Sequence, residues 1–102
     1  MLRQDSLSFR GNKPSQAMTL GEARPGFSGT ILAVDAAGVE GSLPADELER
    51  RLLEMGLMEG ATVEVRHQGL IKRDPIAVRI NGQASFALRR REAAAIFVIS
   101  NI

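Results

Sequence analysis

The chain has no cysteine, no tyrosine and no tryptophan, and holds one histidine and four phenylalanines in 102 residues. Without cysteine there is no disulfide, no thiolate metal ligand and no thiol nucleophile. A lone histidine, His67, cannot by itself complete an ordinary zinc or iron site. Long apolar runs are also missing: the longest, Ala93 to Ile99, is too short to cross a bilayer as a helix. Arg3, Arg10 and Lys13 are not followed by the apolar stretch a signal peptide needs, so a soluble, cytoplasmic protein is expected. The length suits one domain, able to build a core without covalent staples.

Reactive motifs are as scarce as reactive side chains. No G-x-x-x-x-G-K-[ST] or G-x-G-x-x-G loop occurs, nor G-x-S-x-G or H-E-x-x-H. Alternation places His67 on the apolar side of a strand or at its end, where a partly buried structural histidine is expected. Asp46, Glu47 and Glu54 have the spacing of a solvated helix face, and no carboxylate lies in an apolar context that would tune it for acid–base work. The expectation is a protein that is not an enzyme and has no cofactor or metal site. Nucleic acid is a weaker possibility: Arg66, Lys72, Arg73, Arg79 and Arg89 to Arg91 offer cations for phosphates. Single-strand binders of barrel type, however, stack bases on exposed aromatic rings, which are scarce here.

The net charge of +1 hides an asymmetry. Residues 25–60 carry seven acids and two arginines, a net −5, whereas residues 61–102 carry seven bases and three acids, a net +4. Such a division either reflects differently solvated faces or orients a charged partner.

Along the chain, residues 1–17 show no periodicity and contain Gly11 and Pro14, the pattern of a flexible tail. The folded domain is expected over 18–102. "TILAV" (30–34) has the composition of a buried strand, and "DAAGVEGS" (35–42) that of a loop. Pro44 suits the first turn of a helix, with Asp46, Glu47 and Glu49 near the positive end of its dipole. Leu48, Leu52 and Met55 form one apolar stripe.

The segment "RLLEMGLMEG" (51–60) then packs a helix stop and a strand start into ten residues. Gly56 falls where a left-handed residue ends the helix, and Leu57 where a Schellman motif places its apolar contact with Leu52. Gly60 supplies the second positive φ, so that a strand leaves at once. A rigid corner results.

Three alternating strands follow. Val63, Val65 and His67 share one face, as do Ile76, Val78 and Ile80, and then Ala84, Phe86 and Leu88. Asn81-Gly82 marks a hairpin. A two-residue loop would send Phe86 to the face of Arg79. The odd loop Asn81-Gly82-Gln83 pairs Ile80 with Ala84 and Val78 with Phe86, keeping the apolar groups together. "RRREAAAIFVI" (89–99) closes the chain with a short alanine-rich turn and a strand from Ile96. About five antiparallel strands with one helix inserted between the early ones predict a mainly β small barrel.

Residues 18 to 99 resemble the ferrous iron transport protein A (FeoA) family. The carrying residues are "TL" (19–20), "PG" (25–26), "RLLEMGLMEG" (51–60), Val63, Val65, "DPIAVRI" (74–80), Gly82 and "ALRRREAAAIFV" (87–98). The chain departs from the family's pattern at Glu59, where a proline is usual, and at "GLIKRD" (69–74), where the loop is usually tighter. It departs also at Phe86, one position later than usual after the hairpin glycine. The resemblance implies an SH3-like barrel that serves ferrous iron uptake beside FeoB, a membrane transporter with a cytoplasmic GTPase domain. Docking on that cytoplasmic portion would let the protein bias the partner's state by preferring one conformation. Leu57 and Met58 at the corner, with Arg79, Arg89 and Arg90 on the polar side, are the expected contact residues. The alternatives are a regulatory module like the SH3-like C-terminal domain of metal-dependent repressors, and a nucleic-acid-binding small barrel.

Overall fold

A computed structural model describes residues 17–41 and 43–101. The tail expected over 1–17 therefore falls outside the described residues up to position 16. Its last residue, Ala17, already belongs to a strand.

Six strands are seen among the described residues, one more than expected. They are β1 (Ala17–Thr19), β2 (Ser28–Val34), β3 (Thr62–Ile71), β4 (Asp74–Ile80), β5 (Ala84–Leu88) and β6 (Ile96–Ser100). Helix α1 (Ala45–Glu54) joins β2 to β3, and the short α2 (Arg90–Ala93) joins β5 to β6. A single 3-10 turn, Leu20–Glu22, follows β1. All pairs are antiparallel, in the spatial order β1-β6-β2-β3-β4-β5. The sheet curls around one core into the SH3-like barrel. Leu20, Ile31, Leu52, Leu57, Val63, Val65, Ile76, Val78, Ile96 and Val98 fill it, each fully buried.

The extra strand is β1. Its three residues lie opposite Phe97, Val98 and Ile99 of β6, a pairing across most of the chain that local periodicity in so short a segment does not reveal. Helix α1 begins one residue later than expected. Pro44 is its N-cap, with an extended backbone, and its carbonyl accepts from the N–H groups of Glu47 and Leu48 at 3.1 and 3.0 Å. Leu48 and Leu52 are buried, whereas Met55 is only partly so.

The corner forms as the sequence requires. Gly56 has φ of 96°. The Leu57 N–H donates to Leu52 O at 3.0 Å and the Gly56 N–H to Leu53 O at 2.9 Å, the paired bonds of a Schellman motif. Met58 to Ala61 then make a β-turn, closed by Ala61 N–H to Met58 O at 3.0 Å, with Gly60 at φ 90° in the position that demands it. This turn is tied to β2 through both polar groups of Ile31: Gly60 donates to Ile31 O at 2.8 Å, and Ile31 donates to Ala61 O at 2.9 Å.

Register in the β4–β5 hairpin is the odd one. Ile80 faces Ala84 and Val78 faces Phe86 around the loop Asn81–Gln83, and Phe86 packs against the core. His67 differs from expectation. A register shift between Val65 and His67 interrupts the alternation of β3, and His67 is exposed rather than partly buried.

Candidate functional site

The five expected contact residues do not form one cluster. Leu57 is fully buried as the apolar anchor of the helix stop, so its side chain is not available to a partner. Met58, one residue on, is 48% exposed. Arg79 lies on the outer face of β4, opposite Glu64 of β3 and one residue from Ile80, at the corner end of the β3–β4 ladder. Arg89 and Arg90 follow β5, beyond the Ile76–Leu88 pair, towards the opposite end of that ladder.

Arg90 has a structural part to play. Its Nη1 donates to the carbonyls of Gly21 at 3.0 Å and Ala23 at 2.7 Å, and its Nε to Arg73 O at 2.7 Å. Nη2 donates to Gln68 Oε1 at 2.9 Å, and the backbone N–H to Asp74 Oδ1 at 2.8 Å. One side chain thus fastens the 3-10 turn to β3, to the β3–β4 turn and to α2. The planar fork of guanidinium donors is what makes four such bonds possible at once. Arg89, by contrast, is exposed, and its backbone N–H is held by Glu92 Oε1 at 3.1 Å.

What the structure does bring together at the corner is apolar. Besides Met58, Leu53 on the last turn of α1 is 47% exposed and Leu32 of β2 is 42% exposed. Leu53 holds the corner through its carbonyl bond to Gly56, and Leu32 adjoins Ile31, whose N–H and C=O both bond the Met58–Ala61 turn. Three large apolar side chains therefore emerge from a backbone braced by hydrogen bonds. Leu53 was missed, although it was legible in the sequence, since it falls off the stripe of Leu48, Leu52 and Met55. Leu32 was not legible: it points outward at a register shift between Ile31 and Ala33 that the sequence does not announce.

Other concavities hold little chemistry. A pocket of about 270 Å³ between residues 26–28 and 64–67 is lined by Phe27, Glu64, Arg66 and His67. Glu64 Oε1 is buried there without a hydrogen bond, its cationic neighbour being Arg66 Nη1 at 3.6 Å. Glu64 and His67 gain no third metal-binding partner, since no group of three such residues converges among the described residues. No helix among them is long and apolar enough to cross a membrane.

The FeoA domain model matches residues 18–100. No functionally curated protein matches the chain in sequence. Among solved structures, the FeoA of Stenotrophomonas maltophilia in complex with zinc, described as a prokaryotic SH3 domain protein, is 31% identical. That match spans 79% of this chain and 88% of the other, with a TM-score of 0.63. The FeoA protein of Chlorobium tepidum is 30% identical over 83% of this chain and 71% of its own, with a TM-score of 0.65. A manganese-dependent transcriptional repressor in complex with manganese superposes with a TM-score of 0.70 at 24% identity. It is a likeness of fold that covers 86% of this chain and 38% of the repressor. With the domain model matched from the first strand to the last, this chain belongs to the FeoA family.

Proposed function

We propose that the protein docks through the corner between α1 and β3 on the cytoplasmic, GTPase-containing part of a FeoB-type membrane transporter, and biases that partner's nucleotide cycle during ferrous iron uptake. The observation that carries this reading is the exposure of Leu32, Leu53 and Met58 on one braced corner, with Arg79 beside it. A backbone already braced by hydrogen bonds spares the cost of ordering that backbone on binding, so more of the side-chain burial remains as affinity. Arg79 supplies direction rather than strength, because rim charges act mainly on encounter and orientation. Family membership supports the setting, as does the description of the Stenotrophomonas maltophilia relative as a candidate activating factor of bacterial ferrous iron transport.

The protein shifts the transporter's equilibrium only as far as it prefers one state. Titration against the transporter's cytoplasmic part without nucleotide, with GDP and with a non-hydrolysable GTP analogue measures that preference. Affinities that differ between states, and a loss of at least about tenfold in Met58→Asp, are expected. Absence of binding in every state at concentrations near a millimolar would overturn the reading.

A further inference from the structure

The β3–β4 hairpin continues to the pair Ile71–Asp74 and ends in the two-residue turn Lys72-Arg73, with φ of 58° and 59°. Leu70 is 100% exposed and Ile71 78% exposed, well above any other large apolar residue described. At the base of the turn a pocket of about 160 Å³ is lined by Gly21, Glu22, Arg24, Lys72, Arg73 and Arg90. Four cations and one carboxylate line it. The Arg90 guanidinium is held by neutral carbonyl and amide oxygens, and among the described residues none of the four cations has an ion pair. Glu22 in the lining and Asp74, which accepts from the Arg90 backbone N–H, offset only part of this charge, and the site stays net cationic.

We propose that the Leu70–Arg73 hairpin tip, with the basic pocket at its base, docks on the surface of an anionic phospholipid bilayer. Leu70 and Ile71 enter the headgroup region while Arg24, Lys72 and Arg73 engage lipid phosphates. A lipid surface fits these features better than a folded protein does. A convex tip of two apolar side chains offers far less area than the roughly 1,200 Å² of a stable protein interface. A bilayer deforms around such a tip and favours apolar and cationic groups side by side. The inference does not depend on the transporter reading, and leaves the corner free for it.

Vesicle flotation of the whole protein tests it, with vesicles of phosphatidylglycerol and phosphatidylcholine against vesicles of phosphatidylcholine alone. The protein is expected to float with the anionic vesicles only, less so as salt rises. Lys72→Asn/Arg73→Gly removes both turn charges with residues that favour the same backbone, and should cut partitioning roughly thirtyfold. Leu70→Ser/Ile71→Ser should cut it about tenfold with the melting temperature retained. No flotation with anionic vesicles at low salt overturns the proposal, as does undiminished flotation of either variant. Binding of inorganic phosphate without vesicle association also overturns it, and so does binding to the transporter fragment, lost in both variants, with no vesicle association.

Discussion

Nη1 of Arg90 donates to the carbonyl oxygen of Ala23 at 2.7 Å, joining residues 67 positions apart. Its other bonds, to Gly21, Gln68 and Arg73, make it the tie between the start of the barrel and its longest hairpin. Neither β1 nor the 3-10 turn is long enough to hold itself in place, so this side chain replaces a ladder that the short β1 cannot extend.

Removing the tie should therefore cost more than a surface arginine would. Arg90→Ala leaves three carbonyls and an amide oxygen without their donors, and a loss of about 2 to 3 kcal/mol in unfolding free energy is expected. Arg90→Lys should recover only part of this, because one ammonium cannot reproduce the fork. Urea denaturation of the three proteins measures both differences.

Adjacent corner residues should separate stability from binding. Leu57→Ala opens a cavity in the core and is expected to cost about 2 to 4 kcal/mol. Met58→Ala, at a half-exposed site, should stay within about 0.5 kcal/mol of the parent while weakening association with the transporter fragment. Thermal melts and titration read the two effects independently.

Gly56→Ala places a side chain at φ 96°. The nearest atom to the new Cβ, Ile80 Cγ2 at 3.6 Å, leaves room for it. The expected loss of about 1 to 2 kcal/mol thus comes from the backbone rather than from collision. Gly56→Asn should lose less, since asparagine tolerates the left-handed region better. Chemical denaturation of both variants checks the order.

The β3–β4 turn offers a change in the other direction. Lys72 and Arg73 both occupy positive φ, where asparagine and glycine are favoured in a two-residue hairpin. Lys72→Asn/Arg73→Gly should raise stability by about 1 kcal/mol, equivalent to a rise of about 4–8 °C in melting temperature for a domain of this size. An unchanged or lower melting temperature would show that these side chains hold the turn by contacts that outweigh its backbone preference.

Much of the barrel could be read before its structure. Ile76, Val78 and Ile80 alternate cleanly, and only an odd loop after Ile80 keeps Phe86 on their side, which is the observed register. The two glycines of the corner likewise carry their φ requirement in the local sequence. The candidate site was less legible. Leu57 reads in the sequence both as a helix-stop anchor packed on Leu52 and as a contact residue, and only the assembled core, in which it is fully buried, decides between the two. Arg90 sits among three arginines that are alike in sequence, and only the approach of Gly21, Gln68 and Arg73 distinguishes it.

By itself, the sequence determined where the chain turns, which strands alternate and that reactive side chains are few, because each follows from a residue and its near neighbours. Tertiary structure alone decided that β1 pairs with β6, that His67 faces outward and that the exposed Leu32 adjoins Ile31, whose backbone bonds the corner turn. It also decided that Leu70 and Ile71 stand free at a hairpin tip. These outcomes rest on register shifts and long-range pairing, whose energies arise only when segments far apart in the chain meet.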